Sequence, residues 1–118
     1  MKKLISIIAL ALLVGCATTN PQTAAFKSIG TIVTTVDVSM LSWGDYVRAG
    51  LASNEQENQV RRMYSKYQSS MLVTKTMVLT YVDSPEGQKS LQTTLQAVGN
   101  ASSELISLIN SFLTKAPQ

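Results

Sequence analysis

Apolar residues recur every three or four positions in three separate stretches of this chain. The first runs Phe26, Ile29, Val33, Val36, Met40, Trp43, Val47, with spacings that alternate three and four. That is the heptad seam of a helix packed along one face. The second runs Val60, Tyr64, Tyr67, Met71, Thr74, Val78, Tyr81, and the third Leu91, Leu95, Val98, Ser102, Leu105, Ile109, Phe112. Breaks fall between them. "AGLASN" places Gly50 just past the first seam, with Arg48 positioned for the negative end of the helix dipole. Ser53 with Gln56 three residues on has the form of a capping box, and Glu55 and Glu57 suit a first turn. "DSPEG" offers Ser84 as a cap and Pro85 as the first helical residue. The expectation is therefore an all-α fold, an elongated antiparallel (up-down-up) three-helix bundle. Its helices are placed at about 24–51, 54–83 and 85–115, with 116–118 as a tail. At 1.5 Å per residue, such helices are about 42 to 46 Å long.

Local propensity pulls the other way in two places. "GTIVTTVDVSM" (30–40) and "MLVTKTMVLTYV" (71–82) are rich in β-branched residues, and strand in either is the alternative. Three matched seams form a longer-range pattern than either stretch, and propensity is a weak guide.

Upstream of the seams the pattern changes. Met1-Lys2-Lys3 leads into Leu4 to Val14, where Ser6 is the one polar residue. A basic start and an apolar run of about eleven residues have the proportions of a signal peptide, and a spanning helix needs about twenty. The run ends Leu13-Val14-Gly15-Cys16, which resembles the lipobox of bacterial lipoprotein precursors. The resemblance implies cleavage between Gly15 and Cys16, a signal peptide over 1–15, and covalent diacylglycerol and N-acyl lipid on Cys16. Ala17 in place of an aspartate implies, by the same family's rule, an outer-membrane address facing the periplasm. Residues 16–23 then read as the lipidated cysteine and a small, polar tether.

Removing the leader changes the charge. Without Lys2 and Lys3, eight Lys and Arg face seven Asp and Glu, so the basic balance of the whole chain largely disappears. No basic face for nucleic acid is expected. The chain has no histidine and one cysteine, which the lipid would occupy. The commonest zinc ligand and general base are thus missing, and no nucleophilic triad can be assembled. Asp37, Asp45, Asp83, Glu86 and Glu104 all fall off the seams, as solvated carboxylates do. The expectation is a protein that is not an enzyme and carries no cofactor or metal beyond its lipid.

Candidate functional residues are correspondingly few. Trp43 in "SWGDYVRAG" sits on a seam and reads as a packed ring, with a ligand contact as the alternative. Asp45 with Arg48, and Glu57 with Arg61, are spaced to pair along a helix. Gly30, Gly44 and Gly99 share one heptad position, which suggests close helix approach, or else a kink. On the second helix Leu72, Val73 and Leu79 lie off the seam among Lys75, Thr76 and Thr80, and read as a contact patch for an envelope protein or a second copy. The rival function is a binding module that holds a lipid or apolar peptide between its helices.

The stretch "WGDYV" followed by "QVRRMYSKYQ" resembles small uncharacterised helical proteins of phages and prophages. That resemblance implies no activity of its own. Phage lipoproteins include outer-membrane spanin subunits, which act in lysis, and proteins that exclude a second infection. Spanin outer subunits are short and proline-rich after the cysteine. This chain is longer there, helical in pattern and poor in proline.

Overall fold

The computed structural model describes residues 20–115. The expected lipidation site Cys16, the expected lipobox 13–16 and signal peptide 1–15, and the expected tail 116–118 lie outside the described residues. Three helices make up the fold: α1 (Pro21–Arg48), α2 (Asn54–Leu79) and α3 (Pro85–Lys115), with no strand among the described residues. They form an antiparallel three-helix bundle that extends 51 Å along its longest axis. Packing is uneven. The α2–α3 contact is the most extensive, α1 also lies along α3, and α1 meets α2 much less. The central element is therefore α3, the last in sequence.

Each helix end has a chemical cause. Asn20 caps α1 by accepting from the Thr23 amide at 2.8 Å, and Pro21 takes a first-turn position where its missing N–H costs nothing. Helix α1 stops in a Schellman turn. Gly50, at φ +75°, donates to Val47 O at 2.9 Å, and the Leu51 amide donates to Tyr46 O at 3.2 Å. The capping box at the start of α2 is complete: the Gln56 amide donates to Ser53 Oγ and the Ser53 amide to Gln56 Oε1. Ser84 caps α3, accepting from the Gly87 amide at 3.0 Å through its hydroxyl.

The boundaries correct the sequence reading in three places. Helix α1 begins at Pro21, so residues 21–23 belong to the bundle and not to the tether. It ends at Arg48 rather than 51, where the Schellman turn closes it. Helix α2 ends at Leu79 rather than 83, where the Thr80 amide bonds Thr76 O and the Tyr81 amide tightens onto Val78 O.

The β-branched stretches are nonetheless helical over residues 30–40 and 71–79. Their threonines bond back to the preceding turn: Thr31 to Lys27 O, Thr34 to Gly30 O, Thr35 to Thr31 O and Thr76 to Leu72 O, at 2.8 to 3.1 Å. The hydroxyls thus gain partners without leaving the helix.

The core follows the seams of α2 and α3 closely: Val60, Tyr67, Met71, Thr74 and Val78 from one, Leu91, Val98, Ser102, Leu105 and Ile109 from the other. In α1 the seam is shifted. Phe26 is exposed, and Ala25, Ile29, Ile32, Val36, Trp43 and Tyr46 are buried, with Val33, Met40 and Val47 partly covered. By length and composition α1 could cross a membrane, but its buried stripe packs in this core. At the far end Trp43 stacks on Tyr46 with centroids 5.5 Å apart and meets Phe112 at 5.8 Å.

The glycines do not mediate helix approach as expected. A Cβ at Gly30 or Gly99 would meet nothing within 4 Å, and at Gly44 only the Arg48 guanidinium. The glycine that a close approach does require is Gly87, where a Cβ would lie 2.0 Å from Val82 O.

Candidate functional site

The sequence offered one named surface, and the structure puts it in solvent. Leu72 is 68% exposed, Val73 53% and Leu79 72%. Leu72 and Leu79 are seven residues apart and share a stripe of α2, with Lys75 and Thr76 between them. The hydroxyls of Thr76 and Thr80 are turned onto Leu72 O and Thr76 O at 3.0 and 2.7 Å. The stripe is thereby less polar than its composition suggests. Val82, past the helix end, is also exposed.

Further exposed apolar residues on α1, namely Phe26, Val38 and Leu41, and Leu51 in the first turn, were not part of the sequence-based patch. Their signal was present in Val38 and Leu41, which fall off the seam at a helical spacing of three. The sequence pattern hides the exposure of Phe26, because that residue falls on the α1 seam.

The charged groups are arranged as a solvated surface. Asp37, Asp45, Asp83, Glu86 and Glu104 are all exposed. Asp45 pairs with Arg48, as its spacing predicted. The expected Glu57–Arg61 pair is replaced by an Arg61 contact to Asn58 Oδ1 at 3.4 Å. Lys66 of α2 reaches Glu104 of α3 at 3.1 Å. Beside that pair an open hollow of about 520 Å³ is lined by Met63, Ser103, Glu104, Ser107 and Leu108. Between the helices, Val36, Val78, Val98, Leu105 and Ile109 are fully buried.

Trp43 is 6% exposed, so its ring is a core group. Tyr67 is buried against Tyr64, with centroids 5.9 Å apart. Burial, and then the charge of Asp37 on α1 and the neighbouring Tyr64, push its phenol above the ordinary tyrosine range. Tyr81 donates to Asp83 Oδ1 at 3.2 Å, and its phenol is raised by desolvation first and by that bond second. Among the described residues no cluster of His, Cys, Asp or Glu could hold a metal ion.

The fold and surface define a small antiparallel three-helix bundle with an exposed apolar stripe on α2. No protein-family model matches the chain, and neither a curated protein nor a solved structure matches it.

Proposed function

We propose that this chain is a lipid-anchored, non-enzymatic envelope protein, held on the outer membrane and facing the periplasm, whose bundle presents helix faces to an envelope protein or to a second copy. The observation that carries this reading is Leu13-Val14-Gly15-Cys16, set behind a basic and apolar leader and just ahead of Asn20, the cap of α1. Diacylglycerol and an N-acyl chain on Cys16 would supply several acyl chains. At about 0.8 kcal/mol per buried methylene these hold a protein on a bilayer where one chain binds only marginally. Leu72, Val73 and Leu79 supply the contact face. A phage or prophage origin, with a role in lysis or in excluding a second infection, is the narrower form of the proposal and draws on "WGDYV" and "QVRRMYSKYQ".

The test is metabolic labelling in a Gram-negative host. The parent chain should incorporate labelled palmitate and fractionate with outer membranes, and Cys16→Ser should lose both. Labelling that persists in Cys16→Ser would overturn the anchor.

A further inference from the structure

We infer that the end of the bundle formed by the start of α1 and the end of α2 rests on the lipid surface, with Leu79 and Val82 entering it. This inference rests on the lipid-anchor reading of Cys16, adds to it an orientation and a second membrane contact, and reassigns Leu79 from the partner-binding face to the lipid.

The first argument is reach. Residues 17–19 are all that separate Cys16 from Asn20, where the fold begins. At 3.3 to 3.6 Å per residue, the Cα atoms of Cys16 and Asn20 can be at most about 14 Å apart. Acyl chains buried in the hydrocarbon hold Cys16 at its edge. The headgroup layer beyond that edge is only about 5 to 8 Å deep on each side. The cap of α1 therefore cannot leave the immediate neighbourhood of the headgroups.

The second argument is what the fold places beside that cap. Gln22 Nε2 donates to Val78 O at 2.8 Å, which ties the first turn of α1 to the last turn of α2. Leu79 follows Val78 in the direction of the membrane, and Val82 lies past the end of α2. They are 72% and 67% exposed. Phe26, also exposed, is about 6 Å along α1 from Gln22. Apolar groups at that depth gain by leaving water, whereas Leu72 and Val73 stand roughly 9 to 11 Å further up α2 than Leu79 and remain free for a protein partner.

The polar groups at the same end suit an interface. The Asp83 carboxylate accepts from Tyr81 Oη and from Gln88 Nε2 at 3.2 and 3.3 Å, so it carries its own donors. Tyr81, apolar in body and polar at its tip, is the residue type enriched at headgroup level. Lys27 and Lys75, both exposed, are near enough along their helices to meet phosphates.

The test uses the full lipidated chain, reconstituted into phosphatidylethanolamine–phosphatidylglycerol vesicles that contain nitroxide-labelled lipid. Because Cys16 is the only cysteine and the lipid occupies it, an introduced cysteine is the sole free thiol. An environment-sensitive fluorophore is placed on Leu79→Cys, on Val82→Cys and, at the opposite end, on Leu51→Cys. All three sites are exposed, and helicity is checked by circular dichroism. The Leu79 and Val82 probes should shift to the blue and be quenched by the nitroxide lipid, and the Leu51 probe should do neither. Water-like emission at 79 and 82 in protein that carries palmitate overturns the docking and leaves the anchor standing. Equal quenching at all three sites overturns the orientation. Absence of palmitate on the parent chain overturns both the anchor and the docking.

Discussion

The Thr74 hydroxyl on α2 lies 3.2 Å from the carbonyl oxygen of Thr94 on α3, at a position with no solvent exposure. The hydroxyl oxygen is also 2.8 Å from Ser70 O on its own helix, so its single proton is shared between the two carbonyls and spans the two most extensively packed helices. Thr74→Val keeps the shape and removes the bridge. Thr94 retains the intrahelical partner of a mid-helix carbonyl. The loss should be about 1 kcal/mol, read as a lower urea midpoint with an unchanged m-value.

Glycine substitutions should divide by position. Gly30→Ala and Gly99→Ala meet open space inside helices and should each stabilise by up to about 1 kcal/mol. Gly87→Ala should destabilise, because its methyl group would collide with the Val82 carbonyl and force the α2–α3 turn apart. Gly50→Ala should cost about 1 kcal/mol or more through its positive φ. Thermal melts of the four variants check the ranking.

Stability should decline in alkali. Tyr67 in the folded protein has a pKa above the ordinary tyrosine value of 10.0, so the native state holds this proton more tightly than the unfolded chain does. Its contribution is complete below the unfolded pKa and is lost as pH rises through the folded one. Tyr67→Phe should flatten the fall in melting temperature above about pH 10. Some slope should remain, because Tyr81 is shifted in the same direction.

The upper part of the α2 stripe should be separable from the fold. Leu72→Lys with Val73→Lys changes two exposed positions, and each should move stability by no more than about 0.5 kcal/mol. The same pair should abolish self-association or partner cross-linking within the envelope, because two ammonium groups would have to be desolvated in the contact. Unchanged cross-linking would remove these residues from the interaction surface.

How much of this could be read from the sequence differs by helix. In α2 and α3 the buried residues were legible almost position by position. Val60, Tyr67, Met71, Val78, Leu91, Val98, Leu105 and Ile109 are large apolar residues on a strict heptad, bounded by Ser53 with Gln56 and by Ser84 with Pro85. In α1 small and apolar residues occur on several faces, so hydrophobicity alone did not fix the rotation. Phe26 outweighed Ala25 in the pattern, yet Ala25 is the buried one. Asn20-Pro21 was a usable start signal masked by its polar neighbours. The exposure of Leu72, Val73 and Leu79 followed from their distance off the seam. An apolar stripe carries no chemical label for its partner.

The order in which the helices leave the ribosome runs against the order in which they are needed. Helix α1 emerges first but finds little support on α2, and the surface that both require belongs to the 31 residues of α3. Helices α1 and α2 by themselves share little of the surface that closes the core. The contacts that secure α1 therefore join parts of the chain far apart in sequence, the kind whose loop closure is slow.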